Sequence, residues 1–152
     1  MWAFTVHGLY SIVSGRFQSG PKAGQIDTST IMVRARAKAH LANLRKAHND
    51  LLRSHPVKST TDTDYPFRLI LPRGVWLKLG ARLAAEVSYG NFKQAVASRA
   101  QNSEHEYADL LHEVWHAGYR FQTRTTAKGA GGVSGGIGPK IVLDRPDTQF
   151  DL

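Results

Sequence analysis

The sequence STIMVRARAKAHLANL, residues 29–44, changes its hydrophobic period part-way along and so decides the fold. Its first half, up to Arg36, alternates apolar with polar or basic residues, which is the period of a half-buried β-strand. From Ala37 onward the period becomes helical and continues as far as Pro56, which predicts an amphipathic helix of about four turns. The apolar face of that helix comprises Leu41, Leu44, His48, Leu51 and Leu52.

The segments on either side extend this pattern. Residues 2–14 are rich in aromatic and β-branched types, and YPFRLILP at residues 65–72 alternates again, so both are predicted to be strands. Helical spacing returns after Pro72 and again in the stretch that ends near Gln122. We predict an α+β fold in the order β-β-α-β-α-α, with a small, mainly antiparallel sheet of about three strands and helices packed on one face.

The length of 152 residues suits one hydrophobic core rather than two. We therefore predict a single α+β domain over residues 1–123 and a glycine-rich flexible tail over residues 124–152. Behind the run KGAGGVSGGIGPK, the chain ends in a terminal peptide of Gln149, Phe150, Asp151 and Leu152. A short peptide on a tether is a possible contact for a protein partner, whereas a passive disordered terminus is the alternative.

Composition restricts the classes of function. The chain has no cysteine, which excludes disulfide scaffolds, thiolate zinc sites and cysteine nucleophiles. Its first residues do not form a signal peptide and it has no run of 18 apolar residues, so we expect a cytoplasmic protein without a membrane partner.

The net charge of +8 favours a polyanionic partner, and the basic residues are concentrated. Between residues 34 and 58 only Asp50 offsets Arg34, Arg36, Lys38, Arg45, Lys46, Arg53 and Lys58. Either this region is a nucleic-acid surface or it is a solvated face that keeps the protein soluble.

Three arginines belong to the predicted strands. Arg34 and Arg36 are two residues apart and so share one face of a strand, while Arg68 is flanked by apolar Phe67 and Leu69. If the helices cover the apolar face, the arginine face is open, and basic groups beside aromatic rings suit phosphate contacts and base stacking. In the alternative interpretation, these arginines form structural ion pairs with Asp62, Asp64 and Glu86.

The last predicted helix contains His112-Glu113-Val-Trp-His116, which matches the His-Glu-x-x-His pattern of zinc hydrolases. On a helical wheel, His112 and His116 lie opposite the apolar stripe, which comprises Tyr107, Leu110, Leu111, Val114, Trp115 and Gly118. No third ligand follows at the spacing that such enzymes use. We therefore expect no catalytic metal and no cofactor, and the sequence does not indicate an enzyme.

Five segments, WAFTVHGLYSIV, VRARAKAHLANL, TDYPFRLILP, SYGNFKQAV and YADLLHEVW, resemble successive motifs of an uncharacterised family of small bacterial proteins. The resemblance covers about residues 2–122 and implies one shared domain. Among the residues that match the family pattern are Arg34, Arg36, Arg68, Asn91 and Lys93. The insertion SGRFQSGPKAGQ departs from that pattern.

These observations predict a nucleic-acid-associated binding protein that uses a basic sheet and helix surface. A cluster of Arg, Lys and Asn side chains suits a phosphodiester, and its candidates are Arg34, Arg36, Lys38, Arg45, Arg68, Asn91 and Lys93. The alternative is a protein-binding adaptor or inhibitor, for example a phage or mobile-element protein that acts on a host defence protein or ribonucleoprotein. A zinc hydrolase based on His112 and His116 is disfavoured.

Overall fold

A computed structural model of the 152-residue chain describes residues 1–61, 63–99 and 105–129. The predicted tail peptide from Gln149 to Leu152 lies outside the described residues. The internal contacts divide the chain into two units, residues 1–112 and residues 113–152. The strands are β1 (Trp2–Thr5), β2 (Gly8–Arg16), β3 (Ile26–Ala35), β4 (Lys58–Ser59) and β5 (Phe67–Pro72). The helices are α1 (Lys38–Ala47), α2 (Asn49–Leu52), α3 (Arg73–Ala85), α4 (Phe92–Arg99) and α5 (His105–Gly129).

The described strands form one sheet in the order β1-β2-β3-β5-β4, and each neighbouring pair is antiparallel. The predicted α+β class is confirmed, but the sheet has five strands rather than about three. Residues 2–14 form a hairpin because the chain reverses before Gly8, whose φ of 144° is one that side-chain-bearing residues rarely adopt. Lys58 and Ser59, for which no strand was predicted, pair with β5 and form an edge strand.

The main core lies on the sheet face that α1 and α3 cover. Its buried residues are Tyr10, Ile12, Ile31, Val33, Ala35, Leu41, Leu44, Leu52, Leu69, Leu71 and Leu79. The predicted helix over residues 37–55 is present as two helices, because the backbone of His48 leaves the helical region at φ −119° and ψ 42°. His48 is nevertheless buried, as its place in the apolar stripe predicts.

A second core packs α4 and the start of α5 against the β1–β2 hairpin. Val96, Tyr107 and Leu111 are buried there, and Phe4 and Leu9 of the sheet pack against them. Since side chains alternate along a strand, Phe4 and Leu9 lie on the opposite face from the main core. The prediction that all helices pack on one face is therefore wrong for α4 and the start of α5.

The apolar stripe of α5 is buried only near its beginning. Tyr107 and Leu111 are buried, but Val114 and Trp115 are 40% and 47% exposed, so their predicted burial is wrong. The predicted exposure of His112 and His116 is confirmed. The helix α5 continues past Thr123 as far as Gly129. No helix among the described residues is long and apolar enough to cross a membrane.

Candidate nucleic-acid interface

The register of the sheet aligns basic residues across its width. Arg34 in β3 is paired with Ser11 on one side and with Arg68 on the other. Trp2 pairs with Ser11, and Lys58 pairs with Arg68, so the line runs from β1 to β4. We call this line the cationic row, after its three basic residues; its five members are Trp2, Ser11, Arg34, Arg68 and Lys58. At a strand spacing of about 4.8 Å, it spans about 19 Å on the face opposite the main core.

Arg34 is at the centre of the cationic row, and its side chain is fixed by a hydrogen bond to the neighbouring strand β2. One terminal nitrogen donates a 2.7 Å hydrogen bond to the hydroxyl of Ser11, which is buried. The Nε atom of Arg34 is also buried and has no hydrogen-bond partner among the described residues. The protein therefore fixes the position of the guanidinium while using few of its donors.

Tyr65 connects the three arginines predicted from sequence. The guanidinium carbons of Arg34 and Arg36 lie 4.7 Å and 4.9 Å from the centre of its ring, which is a double cation–π contact. Arg68 donates from Nε to the Tyr65 carbonyl at 3.3 Å and from a terminal nitrogen to the Thr63 hydroxyl at 3.0 Å. Arg68, which lies in β5, thus connects the preceding loop to the cationic row.

None of the described carboxylates forms an ion pair with these three arginines. Within the described ranges, no carboxylate lies within 4.0 Å of Arg34, Arg36 or Arg68. The proposed ion-pair partner Glu86 contacts His7 and His48 instead, so that part of the alternative interpretation is wrong. Asp62 lies outside the described residues. Several positive charges therefore share one patch of surface, which attracts anions.

A cavity of about 360 Å³ adjoins the arginines and shares Arg36 and Tyr65 with them. Lys38, exposed at the start of α1, also lines it. The other lining residues are Leu9, Ala37, Ala39, His40, Asn43, Glu106, Tyr107 and Leu110. Tyr107, one of these residues, is buried, its hydroxyl donates to the Thr5 carbonyl at 2.9 Å, and burial raises its pKa. The cavity is large enough for a small planar ligand group.

The remaining predicted residues have other positions. Arg45 donates to the carbonyls of Leu52 and Arg53 at 3.4 Å and 3.2 Å, so it caps the end of α2. Asn91 accepts a 3.1 Å hydrogen bond from the Gln94 amide and caps the start of α4, on which Lys93 is half-buried. The structure therefore brings together Arg34, Arg36, Arg68 and Lys38, and it gives Arg45 and Asn91 structural roles.

A different cluster joins two histidines and a glutamate from distant parts of the sequence. Each of His7, His48 and Glu86 has one nitrogen or oxygen atom able to bind a metal ion, and these three atoms lie within 4.8 Å of one another. The pKa of His48 is lowered, mainly because burial disfavours its charged form, although Glu86 acts in the opposite direction. The only sequence signal for this cluster is a histidine on the apolar face of a helix.

Comparisons with protein-family models, with curated proteins and with solved structures each found no match to this chain.

Proposed function

We propose that this protein binds single-stranded nucleic acid along the cationic row, in the cytoplasm. The observation that carries the proposal is the alignment of Lys58, Arg68 and Arg34 on the sheet face opposite the main core, with no carboxylate in ion-pair contact with the two arginines among the described residues. Cations in a line match a phosphodiester backbone, because each guanidinium or ammonium can pair with one phosphate.

The aromatic residues favour a single strand over a duplex. Trp2 stands at one end of the cationic row and is 67% exposed, so its ring is available for stacking. Unpaired bases stack on such rings whatever their identity, whereas the bases of a duplex are stacked on each other. We therefore expect weak sequence preference and a preference for unpaired strands.

The cavity beside Tyr65 provides a place for one unstacked base. Arg36 and Lys38 supply positive charge there, and the carboxylate of Glu106 is an acceptor for an exocyclic amino group. Most of the wall is apolar, as the flat face of a base requires. The backbone would then follow the cationic row while one base enters the cavity.

The test is a fluorescence anisotropy titration of the full-length protein with a labelled 12-nucleotide single strand and with the matching duplex. The test variant is Arg34→Gln with Arg68→Gln. The matched control is Lys46→Gln with Arg53→Gln, which removes the same charge from two exposed residues outside the cationic row. Both variants lower the net charge by two.

We expect the parent to prefer the single strand and the test variant to lose at least about tenfold in affinity, or about 1.4 kcal/mol. The control should lose less than about threefold, since only general attraction is reduced. Equal losses in the two variants, or no binding by the parent, would contradict the proposal.

A second candidate function is the binding of a protein partner, as an adaptor or inhibitor. It is favoured by the exposed rings of Trp115 and Tyr119 on α5, which stack on each other with centroids 5.5 Å apart. Aromatic groups of this kind are common at protein interfaces. A stoichiometric protein complex that survives the substitution of Arg34 and Arg68 would favour this function over the first.

A further inference from the structure

Three elements meet at the cluster of His7, His48 and Glu86. His7 lies in the turn between β1 and β2, His48 separates α1 from α2, and Glu86 follows the last residue of α3. The Nε2 atom of His7 lies 2.8 Å from one oxygen of Glu86, and the Nε2 atom of His48 lies 3.2 Å from the other. The two imidazole rings meet edge to face at 5.5 Å.

His48 provides a second and independent observation. Its side chain is 4% exposed, and its Nε2 atom is buried without a hydrogen-bond partner among the described residues. The nearby oxygen of Glu86 is close enough for electrostatic contact, but the angle does not make a hydrogen bond. A buried ring nitrogen that lies beside a carboxylate without a hydrogen bond to it is a polar group whose full stabilisation requires a further partner.

We propose that His7, His48 and Glu86 bind one zinc ion. Nitrogen and oxygen ligands about 2.05 Å from zinc, at a tetrahedral angle, are about 3.3 Å apart. The nitrogens of His7 and His48 lie 2.8 Å and 3.2 Å from the two different oxygens of Glu86, and one ligand atom of each residue lies within 4.8 Å of the others. Side-chain rotation would therefore have to bring both nitrogens and one or both of these oxygens to the ion. Two imidazoles and one carboxylate form a donor set that suits zinc better than magnesium or calcium.

A water molecule would occupy the fourth coordination position of the zinc ion. Glu86 is the most exposed of the three ligands, with 31% of its side chain accessible, so solvent reaches the cluster from that side. The ion would connect the hairpin turn, the α1–α2 junction and the end of α3, and so stabilise the packing of the first unit. His48 directly follows α1, which covers the face opposite the cationic row, so this site is independent of the proposed nucleic-acid binding.

The experiment uses tag-free, full-length protein that has been treated with a chelator and then titrated with zinc chloride. Calorimetry gives the stoichiometry, and thermal unfolding gives the stabilisation. Titration with cobalt(II) adds a spectroscopic readout, since four-coordinate cobalt has intense visible bands that the six-coordinate aquo ion lacks. We expect one tight equivalent of zinc, a higher Tm with zinc than without it, and the cobalt bands.

The test variants are His7→Gln and Glu86→Gln, because replacing the buried His48 can also disturb the core. The matched control is His112→Gln with His116→Gln, which removes two exposed histidines of α5. We expect the test variants to lose the tight equivalent while keeping the circular dichroism spectrum of the parent. The control should bind like the parent.

The parent titration makes the proposal falsifiable even if a variant does not fold. Absence of a saturable equivalent of zinc and of the cobalt bands in the parent would overturn it. Loss of the tight equivalent in the His112 and His116 control, with retention in His7→Gln, would also overturn it and would assign the metal to α5.

Discussion

The ring of Tyr65 lies 4.7 Å from the guanidinium carbon of Arg34, and on the same ring Arg36 approaches to 4.9 Å. Two like charges are thus held together by one aromatic side chain, in a region where no described carboxylate is in ion-pair contact with either. Placing two cations together is unfavourable in a free protein and becomes favourable when an anion binds. This arrangement is the reason for assigning an anionic ligand to this part of the surface.

Replacing Tyr65 by leucine removes the ring between the two arginines. We expect the free energy of unfolding to fall by about 1 kcal/mol, because each exposed cation–π contact contributes about 0.5–1 kcal/mol. We also expect about a fivefold loss of single-strand affinity, since a loss of about 1 kcal/mol of binding free energy corresponds to that factor. Urea unfolding and fluorescence anisotropy measure the two effects.

The control for this prediction is Tyr65→Phe, which keeps the ring and removes only the hydroxyl. It should match the parent in stability and in affinity. A phenylalanine variant as defective as the leucine variant would show that the hydroxyl, rather than the ring, is what matters at this position.

The hydroxyl of Ser11 positions Arg34, so Ser11→Ala should change the position of the Arg34 guanidinium within the cationic row. Losing a hydrogen bond to a charged donor in a buried position should lower the free energy of unfolding by about 1–2 kcal/mol. Ser14→Ala on the same strand is the matched control, because Ser14 makes no side-chain hydrogen bond within the described ranges. Equal stability of Ser11→Ala and the parent in urea would contradict the assigned role.

Ala39→Trp should fill the cavity beside Tyr65 without changing any charge. We expect single-strand affinity to fall while its dependence on salt stays the same, because a base contact is lost and the phosphate contacts remain. Ala42→Trp, also exposed on α1 but outside the cavity, is the control and should bind like the parent. If both tryptophan variants retain the parent's affinity, the cavity does not accept a base.

Arg45→Met should affect stability rather than binding. The guanidinium of Arg45 caps the end of α2, and its loss should lower the free energy of unfolding by about 1 kcal/mol. Lys46→Met removes the same charge from an exposed neighbour that makes no such cap, and should leave stability within about 0.5 kcal/mol of the parent. A large loss of single-strand affinity in Arg45→Met, but not in Lys46→Met, would show that Arg45 contacts the nucleic acid.

Much of the fold could be predicted because hydrophobic periodicity is a local property. The stretch at residues 29–44 has a period of two and then a helical period, and the structure has β3 and α1 there. The hairpin within residues 2–14 could not be seen in the same way, because both of its strands have the composition of one long strand. The edge strand at Lys58 and Ser59 is polar, so only its pairing with β5 identifies it.

In the candidate site, too, local sequence patterns predict some residues, whereas others are brought together only by the fold. The arginines at positions 34, 36 and 68 follow from strand alternation and were predicted. Tyr65, Ser11 and Trp2 join them only through the register of β1, β2, β3 and β5 and through the loop before β5. Arg45 and Asn91 were predicted as ligand contacts because composition does not distinguish a helix cap from a binding residue. The cluster of His7, His48 and Glu86 depends on contacts between residues far apart in sequence.

The most direct test of nucleic-acid binding by the cationic row is the slope of log affinity against log salt concentration for a labelled single strand. Each phosphate contact contributes about −0.7 to this slope, so contacts from Arg34, Lys58 and Arg68 of the cationic row and from the adjacent Arg36 should give the parent a slope of about −2.8. Arg34→Gln with Arg68→Gln should reduce the slope to about −1.4, while Lys46→Gln with Arg53→Gln should leave it near the parent value. An unchanged slope in the first variant, or no salt-dependent binding by the parent, would contradict the assignment of the cationic row to nucleic acid.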